Sequence, residues 1–196
     1  MTPFPFEALD EGRPRVFVSL GTVSGDRGAA FYETVVAALE QEAIQVVLAA
    51  PPELLPRIPQ NFIVQRRVPQ IALLPKMHAV VCHAGHNTVA EALAHGIPLV
   101  VAPIRDDQPV VAQQVVASGA GVRIKYGRAS AATLRDAVRR VLTEPSFWQS
   151  ASRIATSFRD AGGAQTAATL LEQLLPSSRS AAVFEPISEP YPPCPS

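Results

Sequence analysis

Two histidines, a glycine, an asparagine, a threonine and a glutamate fall together between His83 and Glu91. The run ahead of them, residues 79–82, is apolar and short enough for one buried strand. Behind them a helical pattern runs over residues 89–95, closed by Gly96 and followed by Pro98. A strand that passes through a small polar turn into a helix presents unpaired backbone N–H groups at the positive end of the helix dipole. That setting suits a phosphate or another anion. His83 and Thr88 can add side-chain donors to the same anion. Gly85 can simply turn the chain, or leave a gap through which an anion reaches the backbone. Asn87 and Thr88 can equally be helix caps. Capping and anion binding use the same geometry, so both readings stand here. Glu91, one turn into the helix, is either a solvated surface acid or an acceptor for two sugar hydroxyls.

A second polar group, Asp106-Asp107-Gln108, precedes Pro109. It reads as an N-cap cluster, or as an acceptor and an amide that reach the hydroxyls of a further sugar. No second carboxylate group stands at a spacing that would complete a metal site, and His78, His86 and His95 lack zinc-ligand spacing. The loop Ser19-Leu20-Gly21-Thr22 is followed by no Gly-Lys-Ser/Thr and lacks the G-x-G-x-x-G spacing of dinucleotide binders. The anion is therefore expected at the turn after residues 79–82 and not in the first loop.

The elements that must position these groups follow from hydrophobic pattern. Strands are expected at residues 15–20, 45–49, 61–64, 79–82, 98–102 and 121–125, separated by helices near 29–42, 70–74, 89–95, 107–117 and 130–142. Two more helices follow, near 145–159 and 164–175. Such alternation calls for an α/β fold: a Rossmann-like, mostly parallel sheet with helices on both faces. In a sheet of that kind the polar loops after the first, fourth and fifth strands share one crevice at the carboxyl ends. Residues 1–14, with three prolines, read as an extended lead-in or linker. Residues 15–175 form the domain, and the Ser- and Pro-rich residues 176–196 read as a disordered tail.

The 17 basic and 17 acidic residues cancel, which leaves no broad field for nucleic acid or acidic membranes, so any anion must be gripped locally. The apolar runs are too short to span a bilayer, and the first ten residues lack the basic-then-apolar order of a signal peptide. Cys82 falls in a strand and Cys194 in the tail, so a disulfide framework is not expected and a cytoplasmic setting is the default.

With these residues in view, the chain resembles the inverting, nucleotide-sugar-dependent glycosyltransferases of the GT-B fold, of the macrolide, carotenoid and plant secondary-metabolite type. The resemblance runs from Val68-Pro69-Gln70 through the His83–Glu91 stretch and Gly96-Ile97-Pro98 to Pro103 and Asp107-Gln108, and includes Val18-Ser19-Leu20-Gly21-Thr22. It covers about residues 15–175 and implies the donor-binding, C-terminal half of that fold. By resemblance, His83, Gly85, Asn87 and Thr88 bind the diphosphate of a UDP-sugar, and Gly21 and Thr22 line the floor near the phosphates. Glu91 holds the ribose hydroxyls, which favours UDP over a dTDP donor. Asp107 and Gln108 hold hydroxyls of the transferred sugar, with Gln108 pointing to a glucose-like one. The main chain of Val68 and the side chain of Gln70 lie near base and ribose. No metal and no other cofactor is implied.

Two departures stand out. Many relatives carry a tryptophan two residues before Pro69, stacked on the uracil; Arg67 occupies that position, and a guanidinium plane can stack on a base as well. The family also places its acceptor site and its catalytic histidine base in an N-terminal domain, and no residue here matches that base. The expectation is a UDP-sugar-binding domain of an enzyme that transfers a hexose to a hydroxyl of a small-molecule or lipid acceptor. On this reading it is inactive alone and needs an N-terminal acceptor-binding domain in cis or in trans. The exposed interdomain face would be a surface for self-association. Alternative readings are a non-catalytic nucleotide-sugar-binding or regulatory module, and a sugar-nucleotide epimerase-like protein.

Overall fold

In the computed structural model, which describes residues 3–21 and 28–174, six strands form one parallel sheet. They are β1 (Arg15–Ser19), β2 (Gln45–Ala49), β3 (Phe62–Gln65), β4 (Ala79–Cys82), β5 (Leu99–Val101) and β6 (Gly121–Arg123). Their order across the sheet is β3-β2-β1-β4-β5-β6, with every neighbouring pair parallel. This is the doubly wound order in which the chain reverses direction of travel between β1 and β4. A crevice opens above their carboxyl ends at such a reversal. Register puts Ser19, the last residue of β1, beside Cys82, the last residue of β4, so Gly21 and His83 leave the sheet side by side.

The intervening helices are α1 (Ala29–Leu39), α2 (Gln70–Leu73), α3 (His86–Ala94), α4 (Gln108–Ala117), α5 (Ala131–Thr143), α6 (Pro145–Asp160) and α7 (Gly163–Leu174). Strand residues alternate between two apolar layers. Val16, Val18, Val46, Leu48 and Val81 pack with Phe31, Val35 and Leu39 of α1 and with Leu134, Val138 and Val141 of α5. Phe17, Val47, Val80, Cys82, Leu99 and Val101 pack with Leu73 of α2, Val89 and Leu93 of α3, Val111 and Val115 of α4 and Ala151 of α6. Both faces of the sheet are thus covered. The continuous apolar strands of the sequence had implied this, since a strand buried on both sides needs no polar alternation. Cys82 is fully buried, and burial pushes its thiol up to about 12, so it is core rather than chemistry.

Three local differences from the sequence expectation have clear causes. Residues 3–14 are not merely an extended lead-in: Phe6–Ala8 make a 3-10 turn, and Phe4, Phe6 and Leu9 pack against the second apolar layer. Prolines at 3, 5 and 14 drew attention to extension and hid this apolar spacing. Helix α3 starts at His86, three residues earlier than the pattern over 89–95, because the polar residues of its first turn carry no hydrophobic period. Strand β6 is shorter than residues 121–125, with Ile124 and Lys125 beyond it. Residues 161–196 form a second unit, within which α7 is described; residues 175–196, and so the expected tail, lie outside the described residues. No described helix is long and apolar enough to cross a membrane.

Candidate functional site

At the carboxyl ends of β1 and β4 lies a cavity of about 750 Å³. Its geometry begins at the turn from β4 into α3. Ala84 takes a left-handed conformation, φ 64°, which is uncommon for a residue with a side chain and concentrates at sites that over-determine the backbone. This turns the chain so that Gly85, extended at φ −63° and ψ 134°, becomes the N-cap of α3. No side chain caps this helix, and its first intrahelical bond is from Val89 N–H to the Gly85 carbonyl, 3.1 Å. The N–H groups of His86, Asn87 and Thr88 in the first turn therefore lack intrahelical partners. Asn87 and Thr88 sit inside that turn and are not its caps, so the capping reading does not hold. His86, Asn87 and Thr88 all line the cavity.

His83 is enclosed between two glycines. Gly21, at φ 71°, and Gly85 flank its ring: a Cβ on Gly21 would stand 2.7 Å from His83 Cε1, and one on Gly85 2.5 Å from Nε2. The gap at Gly85 is thus filled by the imidazole, and both glycines serve to seat it. Burial lowers the ring's pKa below its usual value; the Ser19 backbone carbonyl and the Asp107 charge oppose that, and Arg105 adds to it. The ring therefore leans toward the neutral form.

The other expected residues divide clearly. Gly21, Arg67, Val68, Gln70 and Gln108 line the same cavity. Glu91 does not: it lies behind Gln70, whose Nε2 donates to Glu91 Oε2 at 2.7 Å and stands 3.5 Å from Thr88 Oγ1. Gln70 thereby links two groups that the sequence had treated separately. Asp107 does not line the cavity either; it is exposed at the N-cap position of α4 without a capping bond, although its charge reaches His83. Gln108 is buried, and its Oε1 accepts the N–H groups of Ile104 (2.8 Å) and Arg105 (3.1 Å), so its carbonyl is committed to the turn after β5 and only its amide N–H groups are left for a ligand. Thr22 lies outside the described residues.

Pattern reading gave no individual ligand role to Ser19, Ala49, Arg66, His86 or Arg105, which also line the cavity, as does Asp106 of the expected polar group. Arg66 and Arg105 could have been suspected, being basic residues just past the ends of β3 and β5. Arg66 pairs with Glu53. Asp106, with φ 55°, is the second non-glycine residue in the left-handed region among those described. No group of three His, Cys, Asp or Glu side chains among the described residues converges as a metal-binding set. A second cavity, of about 550 Å³ at the opposite ends of β2 and β3, is lined by Asp10, Arg13, Glu40, Arg57 and Asn61. Its charges are paired with each other, Arg13 with Asp10 and Arg57 with Glu40, which leaves it less suited to a charged ligand.

Comparison with known proteins converges on this architecture. Residues 11–162 match the family described as UDP-glucoronosyl and UDP-glucosyl transferase. The 4'-demethylrebeccamycin synthase of Lentzea aerocolonigenes is 38% identical over 167 residues, which are 85% of this chain and 40% of that enzyme. The crystal structure of the glycotransferase of kitacinnamycin superimposes with a TM-score of 0.74 at 32% identity, over 83% of this chain and 43% of the other. That of the glycosyltransferase VinC, in complex with dTDP, gives 0.71 at 29% identity, over 81% and 40%. The chain spans less than half the length of these relatives. Its sheet is one Rossmann-like half of their GT-B architecture, and the protein belongs to the UDP-glucuronosyl and UDP-glucosyl transferase family.

Proposed function

We propose that this chain is the nucleoside-diphosphate-sugar-binding part of an inverting glycosyltransferase that moves a hexose to a hydroxyl of a small-molecule or lipid acceptor. The observation that carries the reading is the joint placement of the unpaired first-turn N–H groups of α3 and the glycine-seated His83 on one cavity. When the acceptor oxygen attacks the anomeric carbon, the sugar–phosphate bond breaks and the negative charge grows on the diphosphate. Preorganised N–H donors and a His83 that can take up a proton stabilise that leaving group without moving. Thr88 supports the same end of the ligand, while Val68, Arg67 and Gln70 flank its nucleoside.

Glu91, held by Gln70 through one oxygen, offers the other to the ribose hydroxyls of a UDP donor. Asp107 and the amide of Gln108 stand at the sugar end. The acceptor hydroxyl gives its proton to a base supplied by an N-terminal acceptor domain, in cis or in trans, and the face that meets that domain is available for self-association when it is absent. The reading places the enzyme in the cytoplasm and gives it no resident metal, so EDTA should leave ligand binding unchanged. Calorimetric titration of the folded chain with UDP tests the proposal: saturable one-site binding is expected, weakened at least about tenfold in His83→Ala, the loss of a charge-assisted hydrogen bond. Absence of UDP binding to the folded chain would overturn it.

A further inference from the structure

Arg105 is left without a role by the reading above. It lines the cavity, and its charge disfavours protonation of His83, so the guanidinium stands near the imidazole. Its carboxylate partner is the adjacent Asp106, at 3.4 Å, and the two side chains are 46% and 70% exposed. So long and exposed a pair holds an arginine weakly, and a ligand anion can displace it. The backbone beneath is, by contrast, firmly held. The buried Gln108 accepts the N–H groups of residues 104 and 105 through one oxygen, and the next residue, Asp106, is kept in the left-handed region. A turn with two of its amides pinned by one side chain fixes where the next side chain leaves the backbone.

We propose that Arg105 binds the terminal phosphate of the nucleoside diphosphate, and that Gln108 is the positioning residue that sets it there through the backbone amides of residues 104 and 105. A guanidinium presents a planar fork of N–H donors that fits two phosphate oxygens at once, which an ammonium group cannot do. It supplies a positive charge at the group on which charge accumulates as the sugar leaves, without competing with the α3 amides for direction. The inference rests on the donor-site reading and adds to it a fixed positive charge that needs neither a proton nor a metal. It also reassigns the carbonyl of Gln108 from the sugar to the protein.

The test is calorimetric titration of the full chain with UDP and with UMP, which lacks the terminal phosphate. Wild type should favour UDP over UMP. Arg105→Ala should weaken UDP about tenfold and leave UMP nearly unchanged, erasing the preference, and Arg105→Lys should restore part of it. Gln108→Ala should reduce the same preference, and adding it to Arg105→Ala should cost little more, since both act through one contact. Thermal melts check folding; because Arg105 is exposed, its variants carry the test even if Gln108→Ala fails to fold. An unchanged UDP preference in Arg105→Ala, or an equal loss for UMP, overturns the inference. Additive losses overturn the positioning role of Gln108. A wild-type chain that binds no UDP overturns the donor-site reading along with it, whereas His83-dependent UDP binding indifferent to Arg105→Ala overturns this inference alone.

Discussion

His83 shows how a single side chain acquires function from what its neighbours lack. Two glycines from different loops leave room for its ring, and the same enclosure strips water from it. Because burial lowers its pKa in the free chain, the neutral form dominates near neutral pH, and a bound diphosphate favours the protonated one. Ligand binding therefore takes up a proton. UDP affinity should rise as pH falls toward the lowered pKa of His83, below the usual histidine value, and this slope should flatten in His83→Gln. The sign is opposite for the ligand-free fold: a histidine with a lowered folded pKa contributes stability that is present above its unfolded value and lost as pH falls through the folded one. His78 is shifted the same way, first by burial and then by Arg15, so the His83→Gln comparison is needed to isolate the site. That His83, Gly85 and Thr88 share one turn between strand and helix was legible in the sequence. Ala84 was not, since alanine carries no turn signal and its positive φ is imposed by the strand and helix on either side.

At the scale of elements, the sheet order follows from which strands can approach, and one glycine decides the last pairing. A Cβ on Gly121 would fall on the Leu99 carbonyl oxygen and press the Val115 side chain, so β6 can lie against β5 only without one. Gly121→Ala is expected to destabilise the fold by about 2–3 kcal/mol, seen as a lower denaturation midpoint with an unchanged slope. All six strands and the succession of helices could be read from apolar runs and caps. Ser130, for instance, accepts from Thr133 N–H as the N-cap of α5. What could not be read was where polar helix turns begin. The first turn of α3 is polar, and on the proposed reading it binds through its backbone, so it has no reason to show the hydrophobic period by which helices are recognised. The same holds for the turn before α4, where Gln108 looked like a ligand group but also serves as the clasp of its own loop.

For the whole molecule, the doubly wound order puts the loops after β1, β4 and β5 on one crevice, and the family match gives that crevice a diphosphate-sugar context. The expectation that the chemistry was divided between two halves came from the resemblance, and the chain's coverage of less than half of each relative accords with it. That Glu91 and Asp107 are not among the residues lining the cavity was invisible in the sequence, where both stand within a few residues of groups that do line it. The central claim is that a nucleoside diphosphate sits at the start of α3. Titrating the isotopically labelled chain with UDP and following backbone amide resonances tests it most directly. Saturable shifts concentrated at His86, Asn87 and Thr88, with the His83 ring moving in step, are predicted. Shifts confined to the Asp10–Asn61 cavity, or none at saturating UDP, would contradict the account.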